Sequence, residues 1–421
     1  MTLPLSLQLY RLATALAEPL APMLLRGRAR RGKEEAARIP ERLGHASLPR
    51  PEGALAWLHG ASVGESLSLV PLVHRLRRDR PDLTVLVTSG TVTSAEMMGR
   101  RLPQDVIHQY CPVDAPLAAR RFMDHWRPDL VVFVESELWP NLLFTAKSHG
   151  ARLALVSARM TEASAQNWRR TPGSARAMMA AFDLVMPQDE AAAVRLTSLG
   201  ACDDGRLNLK YAGDALPVDE DALAALRAVV GDRPVLVAAS THMGEEEIVL
   251  DAFAPHMDHE TKPLLVIVPR HPDRGDWVDD LVEARGFSVA RRANGGEVAR
   301  DVEVYVADTL GEMGLWLRLA HTALVGGSMV PGVGGHNPLE PIRLGCPALT
   351  GPHVASWQGV YDELVAEGAV QVTPDAMALS AAFGQAIIAR DTTRAAAAKA
   401  IADRQAKALE AGFTRLEGLA P

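Results

Sequence analysis

Leu55-Ala56-Trp57-Leu58-His59-Gly60-Ala61-Ser62-Val63-Gly64-Glu65 joins a short apolar run to a glycine-bracketed turn and the start of an amphipathic stretch. A helical pattern follows from Ser66 to Arg78, and a second apolar run, Thr84 to Thr88, comes next. An apolar run, a tight turn and an amphipathic stretch in that order make a βα unit. The unit repeats. Further runs fall at Val106 to Tyr110, Leu130 to Val134, Leu153 to Ser157 and Leu184 to Pro187, with helical patterns such as Pro116 to Trp126 and Asp189 to Leu199 between them. Near-continuous apolar strands alternating with helices predict an α/β fold with a parallel sheet covered on both faces. The rhythm fades from Lys210 to Asp221 and restarts with Val235 to Ala239, Leu264 to Val268, Val302 to Ala307, Ala323 to Val325 and Pro347 to Leu349. Two Rossmann-like halves are therefore expected, one over residues 36–212 and one over residues 213–421, the second closed by an Ala-rich helix around Ala395 to Glu410. In such sheets ligands bind beyond the carboxyl ends of the strands.

At 421 residues the chain is too long for one ordinary core, which agrees with two domains. A formal charge of -7 argues against a nucleic-acid binder, which would carry a basic face. Cys111, Cys202 and Cys346 are scattered without CxxC spacing, so a reducing compartment is expected. The N-terminus departs from the average. Leu3 to Leu25 is mostly Leu, Ala, Pro and Met, and the basic cluster Arg26, Arg28, Arg30, Arg31 and Lys33 follows it. Its internal charges (Arg11, Glu18) and its prolines suit neither a signal peptide nor a spanning helix. Residues 1–35 read best as an apolar membrane-anchor helix lying on the bilayer, with the arginines on anionic headgroups. A helix packed on the body of the protein is the alternative.

The chemistry begins at the first turn. Glu65 opens a helix beside the carboxyl end of a strand, where a carboxylate could take a proton from an attacking hydroxyl or merely complement the helix dipole. Glu135 and Glu137 end another strand; regular alternation would aim both at one face, whereas a strand already ending there leaves one or both facing the cleft. Charge there is costly without a use, although solvated loop carboxylates would look the same. Lys210 sits at the crossing between halves, where it could neutralise a leaving phosphate; taken alone, it reads better as a linker lysine in solvent. In the second half Arg270 ends a strand, as a phosphate-binding arginine would. Asp308 to Met313 and Gly334 to Glu340 each lead into a helix, and Gly326-Gly327-Ser328 ends a strand. Asn337 is expected as an N-cap with Pro338 in the first turn. Helix N-termini reached through glycines are how this fold class holds nucleotide phosphate. No spacing suggests a catalytic metal.

Several of these segments, with Glu41-Arg42-Leu43-Gly44, Glu135-Ser136-Glu137-Leu138-Trp139-Pro140, Ser240-Thr241-His242-Met243-Gly244-Glu245-Glu246 and Gly335-His336-Asn337-Pro338-Leu339-Glu340, resemble the 3-deoxy-D-manno-octulosonic acid (Kdo) transferase family almost end to end. The resemblance implies a GT-B glycosyltransferase architecture, two Rossmann-like domains facing a cleft, with the acceptor on the N-terminal side and the donor on the C-terminal side. It implies transfer of Kdo from CMP-Kdo to a lipid A precursor (lipid IVA) in lipopolysaccharide core biosynthesis. The transfer would invert the anomeric centre and use no metal or cofactor, CMP-Kdo being a substrate. It would take place on the cytoplasmic face of the bacterial inner membrane. By the same resemblance Glu65 is the general base, and Glu135 and Lys210 stabilise the transition state. Pro269, Arg270, Leu310, Gly311, Glu312, Asn337, Pro338, Leu339 and Glu340 bind CMP. Leu310 stands where the family usually has Met. The rival reading is a sugar-nucleotide 2-epimerase, which shares the two-domain architecture but takes no lipid. The apolar N-terminus and its arginines speak against it.

Overall fold

The computed structural model describes residues 3–421. The first sheet contains β1 (Leu55–His59), β2 (Thr84–Ser89), β3 (Ile107–Tyr110), β4 (Leu130–Val134), β5 (Arg152–Ala158) and β6 (Leu184–Pro187). All pair in parallel, in the order β3-β2-β1-β4-β5-β6. Every apolar run predicted here is a strand. Both faces are covered, so β1 and β4 are buried along their whole length and need apolar residues at nearly every position. The strand order reverses between β1 and β4, and the loops that follow them diverge there to leave an opening at their carboxyl ends.

The second sheet contains β7 (Val235–Thr241), β8 (Leu264–Pro269), β9 (Val289–Arg291), β10 (Val304–Val306), β11 (Thr322–Val325), β12 (Ala348–Thr350) and β13 (Val370–Val372). It is also parallel, in the order β13-β12-β11-β7-β8-β10-β9, and reverses between β7 and β11. Sequence reasoning missed β9 and β13. Both are three-residue edge strands, and Arg291 and Gln371 interrupt the apolar signal that burial on both sides would have imposed.

The chain divides into two compact units, residues through Gly213 together with Gln405–Pro421, and Asp214–Arg404. The division falls between Gly213 and Asp214, and the C-terminal tail returns to the first unit. The helix Thr392–Glu417 does not simply close the second half. Its last turns belong to the first unit, where Phe413 and Leu416 are buried with Leu69, Leu76 and Leu207. Leu409, Phe413 and Leu416 recur at helical spacing, and Arg75 reinforces them through Glu410 (2.7 Å) and Glu417 (3.3 Å).

The helices Leu5–Ala17 and Ala21–Ala29 pack one side on the first unit, with Leu7 and Leu25 buried. The Tyr10 hydroxyl donates to Asp114 (2.9 Å), and the Glu18 carboxylate accepts the N–H groups of Leu117 (3.0 Å) and Ala118 (2.6 Å). The other side is bare: Leu5, Leu9, Leu12, Leu16, Leu20 and Leu24 are each more than half exposed. No helix among the described residues is long and apolar enough to cross a membrane.

Candidate active site

In the first unit the chain turns at Gly60. A Cβ there would lie 2.9 Å from the Glu65 and Ser66 backbone, so only glycine lets the turn close on the helix Val63–Asp79. The Ser62 hydroxyl accepts the Glu65 N–H (3.3 Å), and Glu65 Oε2 accepts the N–H groups of Ala61 (2.7 Å) and Ser62 (3.0 Å). This is a capping box, so Glu65 does serve its helix. Both bonds fall on Oε2.

β4 stops at Val134 because Glu135 adopts φ 54°, a left-handed conformation that costs a non-glycine residue about 1–2 kcal/mol. The kink breaks the alternation that would aim Glu135 and Glu137 at one face. Glu137 turns toward His59 (3.4 Å) and accepts the Trp139 indole N–H. Glu135 is nearly buried and interacts with Lys210, Glu65 and Arg159. Burial raises its pKa; Lys210 and Arg159 pull it down, and Glu65 pushes it up. Ser157, also left-handed at φ 51°, accepts the Leu209 N–H (3.3 Å), and Asn208 Oδ1 accepts the Lys210 N–H (3.1 Å), which fixes the backbone that carries Lys210. Glu65, Glu135 and Lys210, far apart in sequence, thus meet at the reversal point of the first sheet. A partly exposed carboxylate beside a buried carboxyl and a lysine can take a proton from a hydroxyl and balance developing charge. A cavity of about 310 Å³, lined in part by His59, Ala61, Thr91, Cys111 and Arg42, adjoins Glu65 through Ala61, whose N–H that carboxylate accepts.

In the second unit the ends of β7, β8 and β11 are tied by two buried carboxylates that sequence reasoning missed. Glu245 accepts the N–H groups of Gly327 (2.7 Å), Ser328 (2.9 Å), Met329 (2.8 Å) and His242 (2.9 Å). The turn Gly326-Gly327-Ser328 is therefore not an open phosphate cradle, because the protein's own carboxylate already holds its donors. Glu246 accepts from Thr241 (2.8 Å) and Arg274 (2.6 Å). The available signal was the run Glu245-Glu246-Glu247, adjacent carboxylates opening a helix soon after a strand.

Pro269 ends β8 in register with Thr241, and the Arg270 N–H donates to Thr241 O (3.0 Å), leaving the Arg270 side chain exposed near His336 and Glu340. His336 Nε2 lies 2.7 Å from His242 Nε2, so one ring donates and the other accepts. Burial, with His242 and Arg270 adding to it, drives the His336 pKa down to about 4. Asn337 Oδ1 accepts the Leu339 N–H (3.1 Å), and the helix Leu339–Arg343 starts one residue later than expected after Pro338. Burial raises the Glu340 pKa, while Arg343, Arg270 and the Asn337 amide lower it. Leu310 is 82% exposed and Gly311 has φ 88°. Glu312 makes two bonds to Arg292 (3.1 and 2.7 Å), which hold it ionised, and it accepts from Thr309. Arg270, Asn337 and Glu340 therefore gather around His336, whereas Glu312 forms its own group with Thr309 and Arg292.

A family profile described as "3-Deoxy-D-manno-octulosonic-acid transferase (kdotransferase)" matches residues 37–212. A probable mitochondrial 3-deoxy-D-manno-octulosonic acid transferase of Arabidopsis thaliana is 33% identical, over 87% of this chain and 84% of that protein. The 3-deoxy-D-manno-octulosonic acid transferase of Haemophilus influenzae is 34% identical, over 82% of each chain. A crystal structure of a glycosyltransferase from Rickettsia africae aligns with a TM-score of 0.51 at 10% identity, over 88% of this chain and 99% of that one, and so shares its fold.

Proposed function

The chain belongs to the 3-deoxy-D-manno-octulosonic acid transferase family, and we propose that it moves Kdo from CMP-Kdo to a lipid A precursor at the cytoplasmic face of the inner membrane. The observation that carries this reading is the meeting of Glu65, Glu135 and Lys210 at one reversal point in a chain with such relatives. The acceptor hydroxyl oxygen attacks the anomeric carbon of Kdo from the face opposite CMP. Its proton passes to Glu65 Oε1. The bond from the anomeric carbon to the phosphate oxygen breaks, and CMP leaves with the electron pair. Lys210, with Glu135 beside it, balances the charge that develops. Arg270, Asn337 and Glu340 hold the CMP moiety, as do Pro269, Leu310 to Glu312, Pro338 and Leu339. CMP leaves as an already stable anion, so no metal is required.

The N-terminal helices suit the membrane surface. A stripe of exposed leucines is followed at once by exposed Arg26, Arg28, Arg30, Arg31 and Lys33, the pattern of a helix lying in the interface of an anionic bilayer.

The test is mass spectrometry of lipid IVA incubated with purified full-length protein, freshly generated CMP-Kdo and a chelator. A gain of one or more Kdo masses is expected. No gain from a well-folded protein, with CMP-Kdo left intact, would reject this donor–acceptor pair. Flotation with anionic vesicles tests the membrane reading: binding should weaken on Leu9→Asp/Leu16→Asp, and unchanged flotation would reject it.

A further inference from the structure

A second cavity in the first unit, about 270 Å³, lies between the N-terminal helix Leu5–Ala17 and the body. It is lined chiefly by Leu7, Tyr10, Leu138, Trp139, Pro140 and Trp168. The polar atoms of several lining side chains are turned away to protein partners. Tyr10 donates to Asp114, the Trp139 indole to Glu137, and the hydroxyls of Ser6 and Ser174 bond each other. What faces the groove is then chiefly aliphatic carbon and aromatic ring, with Thr171 at the rim, a surface that favours a hydrocarbon.

Two continuities identify the occupant. Trp139 lines this groove and also the more polar cavity that contains Ala61, whose N–H the Glu65 carboxylate accepts. Through the helix that carries Leu7 inward, the groove also adjoins the stripe of Leu5, Leu9, Leu12 and Leu16 exposed on the outer side. A ligand reaching from the reacting hydroxyl to the apolar surface must be polar at one end and apolar at the other, and it must pass Trp139. We infer that the groove between the N-terminal helix and Trp139-Trp168 is a binding site for an acyl chain of the lipid acceptor, with the saccharide headgroup in the neighbouring Ala61–Thr91 cavity. This rests on the acceptor being a lipid, as proposed above. The N-terminal helix then does more than attach the protein: it forms one wall of the acceptor site, and Trp139 aligns the two halves of the acceptor.

Cross-linking decides the site without turnover. Full-length protein in detergent is irradiated with a lipid IVA analogue carrying a diazirine in one acyl chain, and the adducts are mapped by mass spectrometry. Adducts at Leu138, Trp139, Trp168 or Thr171 are expected. Adducts confined to Leu9, Leu12, Leu16 and Leu24 of the outer stripe would overturn the inference. Kinetics supply the second arm. Each buried methylene is worth about fourfold in affinity, so the KM for a fully deacylated acceptor should exceed that for the acylated one at least tenfold. Thr171 lines the groove and is exposed at its rim. Thr171→Trp should fill the groove and reduce that KM ratio at least tenfold; an unchanged ratio overturns the groove while leaving Kdo transfer intact. Failure of transfer to either acceptor would instead unseat the functional reading, and the cross-linking pattern would still decide the groove.

Discussion

Glu65→Gln should separate the two roles of Glu65. The carboxylate accepts the N–H groups of Ala61 and Ser62 through Oε2. A glutamine amide oxygen can accept both, so the capping box survives, but the side chain can no longer take a proton. A general base is worth roughly 100- to 10,000-fold in rate. That corresponds to about 3–5 kcal/mol of barrier. The glutamine variant should lose turnover on that scale and unfold close to the wild-type temperature. Glu65→Ala removes the cap as well, at about 1 kcal/mol. For a unit of this size that lowers Tm by roughly 2–4 °C. Initial rates come from mass spectrometry of the glycosylated lipid, and Tm from circular dichroism. If Glu65→Gln keeps more than a tenth of wild-type kcat, the base is another group. If its Tm falls as far as that of Glu65→Ala, the capping argument fails.

Three further outcomes follow from the same geometry. Burial raises the Glu135 pKa, so the folded protein binds that proton more tightly than the unfolded chain, and stability falls as pH rises from the ordinary carboxylate range through the raised value. Glu135→Gln should therefore be more stable than wild type at neutral pH, with the difference closing in acid, and slower in turnover; a Tm profile parallel to wild type from acid to neutral pH would contradict this. Glu245→Ala strands four backbone N–H groups around a wholly buried site, each costing about 1–3 kcal/mol if unsatisfied, so chemical denaturation should show a loss of more than about 3 kcal/mol. Phe413→Ala should cost about 3 kcal/mol in the first unit, because the side chain is buried there. Hydrogen exchange should show faster opening around Leu69 and Leu207, and exchange changed only within residues 214–404 would refute the placement of the tail.

Much of the fold was legible because a parallel sheet covered on both faces writes itself into local sequence. The runs at Leu55 and Leu130 are apolar at nearly every position, and glycine punctuates the turns that follow many strands. β9 and β13 were not legible, since edge strands escape half of that constraint. The turn at Gly60 was readable, and so was a carboxylate at Glu65. The capping box was foreshadowed only as helix-dipole compensation. Whether Glu135 and Glu137 share a face was left open by the sequence, because alternation holds only in a regular strand and the left-handed kink at Glu135 breaks it. Gly326-Gly327-Ser328 looked like a phosphate turn for the same local reason that any glycine turn does; the carboxylate that fills it comes from residue 245, more than eighty positions away.

By itself, then, the sequence determined the number of parallel sheets, the strands that build them and the family to which the chain belongs, since each of these is set by periodicity or by short motifs. Tertiary structure alone decided that Lys210 stands beside Glu135, that Glu245 occupies the glycine turn after β11, that the C-terminal helix ends on the first unit, and that the N-terminal helix walls an apolar groove beside Trp139. The physical reason is range. Strand and helix patterns are written by neighbours a few residues apart, whereas burial, charge pairing and cavities arise between groups that only the folded chain brings together.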